Sequence, residues 1–269
     1  MPRIGPPPGQ FAPGAFRAMF HLTGQTALVV GGGGGIGSGI GSALADFGAR
    51  VAIADLDVEA AKRAAQACAR PNIDGSMAVA IDVANPVNVA TVIAAIEQEL
   101  GKIDILVNSA GINFRKPAID YTPEEWRRII DINLSGVFYV TQAAAKGMLA
   151  RKYGRILSLG SVSSLLGHPH HAPYAASKGG IAIMTKSLAT EWATSGVTVN
   201  AIGPAYTETP LISELTTDRI AHEALIATIP MGRLGKVEDI VGAAVFLSSE
   251  SARFVTGQTL FIDGGRTAD

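Results

Sequence analysis

The sequence has a single cysteine, almost no net charge and no long apolar run. Its 22 Lys and Arg residues nearly balance 23 Asp and Glu residues, which leaves a net charge of -1. Because no dense Lys/Arg cluster is present either, the sequence predicts no nucleic-acid partner and no anionic membrane surface as a partner. Cys68 cannot form an internal disulfide and fits a buried helix face, which favours a reducing, cytoplasmic compartment.

The missing apolar runs also bear on the membrane and on the N-terminus. No stretch reaches the roughly 18 uninterrupted apolar residues that a membrane-spanning helix needs. Prolines and glycines interrupt the N-terminal residues before the apolar core of a secretory signal can form. We therefore expect a soluble protein in which residues 1–20 are a flexible extension, with an arm packed against the domain as the alternative.

Short apolar runs alternate with longer segments of helical period along the rest of the chain. The strand candidates are Thr26–Val30, Arg50–Ala54, Met77–Ile81, Ile103–Val107, Arg155–Leu159, Val197–Ile202 and Thr259–Ile262. Near-continuous apolar runs are typical of strands that are covered on both faces. Alternation of such strands with helices predicts one Rossmann-type, doubly wound α/β domain over residues 21–269, with a seven-stranded parallel sheet.

Helical segments between the strands have recognisable faces and starts. Ile36, Ile40, Leu44 and Phe47 recur at helical spacing on one face. Asn85-Pro86 and Thr122-Pro123 are helix starts, with a capping side chain and proline at the first position. Residues 208–230 contain no strand but carry apolar residues at amphipathic spacing, so we expect a helical lid there.

A glycine-rich turn follows the first strand. Gly31, Gly35 and Gly37 are the preferred register of a dinucleotide-binding pattern, because Gly31 directly follows the strand and Ile36 joins the apolar helix face. Glycines let the turn tighten and let backbone N–H groups at a helix N-terminus approach a pyrophosphate. A flexible glycine loop without a ligand is the alternative.

Acidic residues follow the second and third strands. Asp55 at the end of the second strand can accept hydrogen bonds from ribose hydroxyls and would repel a 2′-phosphate. No Lys or Arg follows it directly, so the sequence predicts NAD rather than NADP. Asp82 and Val83 are placed to meet the adenine. Either acid could instead serve only its local turn. No metal site is predicted.

A tyrosine and a lysine are spaced for proton chemistry. Tyr174 and Lys178 share one helix face at i and i+4. An ammonium beside a phenol lowers its pKa from about 10, and a phenol tuned in this way acts as a general acid or base at an alcohol or carbonyl oxygen. Ser161, just after the fifth strand, can hold the same oxygen. Taken alone, a tyrosine and a lysine at this spacing are most often exposed residues without a catalytic role.

Taken together, these motifs resemble the short-chain dehydrogenase/reductase family over residues 22 to about 265. The resemblance also rests on Asn108-Ser109-Ala110-Gly111, on Asn133 and on Asn200-Ala201-Ile202-Gly203-Pro204. It implies a catalytic set of Asn133, Ser161, Tyr174 and Lys178. The implied cofactor contacts are Gly31, Gly34, Gly35, Ile36, Gly37, Asp55, Leu56, Asp82, Val83, Asn108, Ala110, Gly111, Tyr174, Lys178, Pro204, Thr207 and Thr209. It also implies a homotetramer.

Three residues depart from the family pattern. Val30 replaces a threonine that would bond to Asn108, Gly34 replaces a polar or basic residue, and Ala205 replaces a glycine. These changes bear on cofactor affinity rather than on proton transfer.

Within the family, the chain resembles bacterial gluconate 5-dehydrogenases and related polyol dehydrogenases most in the segments Gly111–Pro117, Ala172–Gly180 and Glu191–Ala193. This implies a polyhydroxylated small-molecule substrate and hydride transfer to or from a secondary alcohol or ketone. The candidate substrate contacts are Asn113, Arg115, Ser161, His168, His171 and Tyr206. Two alternatives stay open: a reductase of ketoacyl or other lipophilic ketones, and a non-catalytic nucleotide-sensing protein.

Overall fold

The computed structural model describes residue 12 and residues 14–71, 73, 75–212 and 219–268. The strands are β1 (Thr26–Val30), β2 (Arg50–Asp55), β3 (Met77–Ala80), β4 (Ile105–Asn108), β5 (Gly154–Leu159), β6 (Val197–Pro204) and β7 (Thr259–Ile262). The helices are α1 (Ala15–Ala18), α2 (Gly35–Asp46), α3 (Val58–Ala67), α4 (Pro86–Leu100), α5 (Pro123–Ile130), α6 (Gly136–Arg151), α7 (Ala172–Trp192), α8 (Arg219–Ala227) and α9 (Val237–Ser248).

All seven predicted strands are present and pair in parallel in the order β3-β2-β1-β4-β5-β6-β7. The predicted α/β class and the seven-stranded parallel sheet are therefore confirmed. β4 begins at Ile105 rather than at Ile103, and the side chain of the preceding Asp104 accepts a hydrogen bond from the Thr26 amide at the start of β1. β2, β4 and β6 each run past the predicted end, to Asp55, Asn108 and Pro204.

The two predicted helix starts have the expected caps. The Asn85 side chain accepts hydrogen bonds from the amides of Val87 and Asn88 at the start of α4. Thr122 and Glu125 form a reciprocal capping box at the start of α5. One feature is not predicted: a π-helical turn at Asp131–Ser135 separates α5 from α6.

Apolar side chains cover both faces of the sheet. Along β1, Ala27 and Val29 pack into one buried cluster with α2 and α9, while Leu28 and Val30 pack into another with α4 and α6. A strand that is covered by helices on both faces is buried along its whole length. All five residues of β1 are buried in this way. Among the described helices, none is long and apolar enough to cross a membrane.

Two parts of the predicted domain organisation, the N-terminal extension and the lid, are only partly described. Residues 1–11 and 13 of the predicted extension lie outside the described residues, and the amide of Ser251 donates a hydrogen bond to the carbonyl of Met19. The predicted lid contains a short 3-10 turn at Pro210–Ile212 and helix α8, and its residues 213–218 lie outside the described residues. Flexibility of the extension and movement of the lid both stay predictions.

Candidate active site

A cleft of about 620 Å³ opens at the carboxyl ends of the strands. In an open parallel sheet, this edge, where the strand order reverses between β1 and β4, is the usual place for a ligand. Predicted site residues that line the cleft are Gly31, Gly34, Gly35, Ile36, Asp55, Leu56, Asp82, Val83, Ala110, Gly111, Asn113, Arg115, Ser161, His168, His171, Tyr174, Lys178, Pro204, Tyr206, Thr207 and Thr209. The fold therefore brings nearly the whole predicted set to one cavity.

The glycine turn between β1 and α2 approaches its neighbours closely. Gly31 has φ +75°, and a Cβ there would lie 2.3 Å from the backbone nitrogen of Ala110. A Cβ on Gly37 would lie 2.3 Å from the carbonyl oxygen of Gly31, so Gly37 packs behind the turn and does not line the cleft. Gly34, which caps α2, has open space around its Cβ position. The turn thus presents bare backbone to the cleft at the N-terminus of a helix.

Asp55 ties the end of β2 to this turn. Its Oδ2 accepts a hydrogen bond of 2.9 Å from the amide of Gly33, and its Oδ1 accepts one of 3.1 Å from the amide of Asp57. Asp82 lines the same part of the cleft beside Val83. Among the described residues that line the cleft, the Lys and Arg side chains are Arg115 and Lys178. A carboxylate without a nearby cation therefore marks the adenosine end.

These observations fit a nicotinamide dinucleotide. Bare glycine backbone at a helix N-terminus matches a pyrophosphate, and a carboxylate at the end of β2 matches a ribose diol. Lys178 lies far along the same cleft, where a second ribose would come. The residues present therefore fit the dinucleotide.

Tyr174, Ser161 and Lys178 converge at the other end of the cleft. Lys178 Nζ donates a hydrogen bond of 2.7 Å to the carbonyl of Leu159 and lies 5.5 Å from the centroid of the Tyr174 ring. Burial raises the pKa of the Tyr174 phenol, while hydrogen bonding with the adjacent Ser161 hydroxyl opposes that rise. Burial lowers the pKa of Lys178 to about 8. The predicted lowering of the phenol pKa by Lys178 stays a prediction.

Asn133 lies in the π-helical turn and is fully buried. Its side chain pairs with the backbone of Ile112 twice: Oδ1 accepts from the amide and Nδ2 donates to the carbonyl, both at 2.8 Å. Nδ2 also contacts the Ser177 hydroxyl at 3.3 Å. π-helical turns inside α-helices occur frequently at functional sites. Here the turn ties α6 to the loop after β4, beside Lys178.

Two histidines lie on the loop before α7, and one of them contacts the phenol. His171 is 2% exposed, and its ring meets the Tyr174 ring edge-on at 5.7 Å between centroids. The His168 ring lies 5.4 Å from the His171 ring. Burial, followed by the charge of Arg115, lowers the pKa of His171 to about 4, so its imidazole is neutral at neutral pH. Arg115 itself lies over the Tyr206 ring at 5.6 Å.

Asn108 and Ser163 are placed differently from what the sequence indicates. Asn108 does not line the cleft; its Nδ2 donates to the hydroxyls of Thr141 and Ser158 beneath it. Ser163 lines the cleft between the two histidines but was not among the predicted site residues. Its position two residues after Ser161, in the turn that follows β5, is the signal that could have identified it.

Comparisons with known proteins agree with this geometry. The family described as enoyl-(acyl carrier protein) reductase matches residues 31–267. Gluconate 5-dehydrogenase of Gluconobacter oxydans is 39% identical over 249 residues, covering 93% of this chain and 97% of that protein. The 3-oxoacyl-(acyl-carrier-protein) reductase of Vibrio cholerae is 38% identical over 245 residues, covering 91% and 98%.

A solved structure adds a ligand-bound relative. The gluconate 5-dehydrogenase of Burkholderia cenocepacia, in complex with NADP and tartrate, is 41% identical and superposes with a TM-score of 0.90. The match covers 94% of this chain and 98% of that one.

Proposed function

The chain belongs to the short-chain dehydrogenase/reductase family of oxidoreductases acting on CH–OH groups, and from this premise we propose that it transfers a hydride between NAD and a secondary alcohol or ketone of a sugar acid, sugar or polyol. One observation carries the proposal: Ser161, Tyr174 and Lys178 meet at one end of a cleft whose other end carries the glycine turn and Asp55. This arrangement supports the proposal, because an acid/base group at that end would lie within reach of a dinucleotide bound along the cleft.

Proton transfer is the task of the chain's own residues. When bound, NAD would accept the hydride from the carbon that carries the reacting hydroxyl. Tyr174, as the phenolate, removes the proton of that hydroxyl, while the Ser161 hydroxyl donates a hydrogen bond to the same oxygen. The Lys178 ammonium favours the phenolate. Asn133 holds the loop after β4 beside Lys178, and the proton leaves Tyr174 by way of Lys178.

Around the phenol, the substrate end of the cleft carries several polar groups and a positive charge. Arg115 lines it, and its planar guanidinium can bind a carboxylate through two hydrogen bonds. Asn113, with a buried Oδ1 that lacks a hydrogen-bond partner, and Tyr206 line it too. These groups favour an aldonate over a neutral polyol.

A reductase of ketoacyl substrates is the second candidate. Leu211, which is 53% exposed, and Ile212 line the cleft and would suit a lipophilic chain. The Vibrio cholerae relative is described as a 3-oxoacyl-(acyl-carrier-protein) reductase. A non-catalytic nucleotide sensor is disfavoured, because such a protein has no need of the complete set of Asn133, Ser161, Tyr174 and Lys178.

A substrate screen tests the proposal. Purified protein is offered NAD with C4 to C6 aldonates and polyols, and reduced cofactor with 3-oxoacyl thioesters, and turnover is followed at the NADH absorbance. We expect oxidation of an aldonate, with weaker use of the matching polyol. Turnover confined to the 3-oxoacyl thioesters would replace this proposal by the second one, and binding of NAD without any turnover would favour the sensor.

Two further elements of the proposal concern the lid and the setting. Thr209 and Pro210–Ile212, at the start of the predicted lid, line the cleft, while Ile229 and Leu234 pack with Ile212 in a small cluster of their own. We propose that this segment closes over bound substrate and excludes water. We also propose a cytoplasmic homotetramer.

A further inference from the structure

Four residues lie in contact around the reacting hydroxyls: Ser161, Ser163, His171 and Tyr174. The backbone amide of Ser163 donates a hydrogen bond of 3.1 Å to Ser161 Oγ. Ser163 Oγ lies 3.5 Å from His171 Nε2, and the His171 ring packs edge-on against Tyr174. Tyr174 lines the same cleft as Ser161, and hydrogen bonding with the Ser161 hydroxyl opposes the rise in its pKa. His171 therefore contacts both the phenol and the residue that holds the catalytic serine.

Burial makes this contact specific to the neutral imidazole. His171 is nearly inaccessible to solvent, and its Nδ1 is buried without a hydrogen-bond partner in the structure. A neutral imidazole has one donor and one acceptor nitrogen, so Nε2 can pair with the Ser163 hydroxyl in either direction. A ring held on one side by Ser163 and on the other by the phenol restricts the directions in which Tyr174 can point.

We propose that His171 is a positioning residue, which, through Ser163, keeps the Tyr174 phenol and the Ser161 hydroxyl aligned on one substrate oxygen. The inference rests on the proposed function, because it assumes that Tyr174 is the acid/base. It concerns the chain's own side chains and does not depend on which alcohol is the substrate. His171 acts here through its two neighbours and not as a proton donor itself.

Several other groups also act on the phenol and must be kept constant. Lys178 from α7 and Arg115 from the loop after β4 bring positive charge, and Tyr206 from the loop after β6 is a second phenol. None of these residues is changed in the test. A shift in the titration of Tyr174 on mutation of His171 or Ser163 then reports on the alignment with Ser161.

The test is a double-mutant cycle of Ser163→Ala and His171→Phe. Phenylalanine keeps an aromatic edge against Tyr174 but cannot pair with Ser163, and alanine removes the partner hydroxyl while keeping the amide that holds Ser161. Tyr174 is titrated by the ultraviolet absorbance of tyrosinate, taken as the difference from a Tyr174→Phe protein. The ascending limb of kcat/KM with pH is recorded in parallel for alcohol oxidation.

Each single variant should shift the Tyr174 titration and the kcat/KM limb to higher pH by about one unit, because a loosened bond to Ser161 no longer favours the phenolate. The double variant should shift no further, since both changes break the same contact. His171→Gln, whose amide can pair with Ser163, should titrate nearly as the native protein does. The KM for NAD should not change.

A matched control uses the other histidine. His168 Nδ1 also lies 3.5 Å from Ser163 Oγ, but its ring contacts His171 and Tyr206 rather than Tyr174. His168→Phe should therefore leave the Tyr174 titration unmoved, whatever it does to substrate binding. An unmoved titration in both single variants, additive shifts in the double variant or an equal shift in His168→Phe would overturn the inference. Absence of all turnover in the native protein would instead refute the proposed function, and the absorbance titration would still test the alignment.

Discussion

Val30 and Asn108 lie directly opposite each other in the pairing of β1 with β4, and Asn108 Oδ1 is buried there without a hydrogen-bond partner. The valine stands where the family pattern has a threonine. Its isosteric side chain fills the same space but cannot donate a hydrogen bond. The glycine turn, which begins at the next residue, therefore lacks one side-chain connection to the neighbouring strand.

Val30→Thr should repair this contact. A threonine hydroxyl at this position can donate to the unpaired Asn108 Oδ1, and satisfying a buried acceptor contributes about 1–3 kcal/mol. We expect a free energy of unfolding that is unchanged or higher, measured by urea denaturation. Val107→Thr, at a buried β4 position on the other face of the sheet, is the control and should destabilise the protein. Equal destabilisation by both changes would mean that the hydroxyl does not reach Asn108.

Asp55 should decide the choice between NAD and NADP. A 2′-phosphate would approach a carboxylate with no Lys or Arg beside it among the described residues that line this end of the cleft. We expect kcat/KM to favour NAD in the native protein. Asp55→Asn should narrow the preference by about tenfold or more, because it removes the charge but keeps an acceptor for the Gly33 amide.

The control for this change is Glu59→Gln, which removes a neighbouring exposed acid on α3. It should leave the cofactor preference nearly unchanged. If the native protein used NADP as well as NAD, the role given to Asp55 would be wrong.

Sequence patterns predicted the sheet well because its strands are continuous apolar runs and its helix starts carry local caps. Most of the site followed, since glycines, Asp55 and the Tyr174–Lys178 spacing are local signals. The π-helical turn around Asn133 is not predictable in this way, because it depends on the side-chain pairing with Ile112 across the fold. The unpaired Asn108 oxygen and the Ser163–His171 contact likewise arise only when distant segments meet.

Stability should fall steeply on acidification because of His171. Its pKa is about 4 in the folded protein and about 6.5 in an unfolded chain, so the unfolded state binds more protons between these values. Stability should therefore be lost as the pH falls from about 6.5 to 4, by about 3 kcal/mol from this group alone. His171→Gln should flatten that part of the curve of unfolding free energy against pH. Parallel curves for the two proteins would show that the imidazole is not held neutral.

The proposed tetramer has a candidate surface in the exposed apolar residues on the helices before and after β5. Four apolar residues on these helices are buried within the chain's own core and offer no surface to a second copy: Val137, Val140, Ile181 and Leu188. Other side chains on these helices stay exposed: Trp126 at 43%, Phe138 at 37% and Ile183 at 65%. Apolar surface of this kind tends to be buried against a symmetric copy.

Light scattering at micromolar concentration should give the mass of four chains. Phe138→Lys combined with Ile183→Lys should reduce that mass, because both changes place charge on the shared surface. The control is Phe254→Lys, at a fully exposed side chain outside these helices, which should leave the mass unchanged. A stable native monomer would rule out the assembly.

The proton transfer assigned to Tyr174 is tested most directly by Tyr174→Phe, measured for turnover and for NAD binding on the same preparation. The phenyl ring fills the same space, so NAD should bind as it does in the native protein and the fold should persist. Turnover should fall by on the order of 10²–10⁴-fold, because no other group replaces the acid/base. Near-native turnover with NAD still bound would contradict the account.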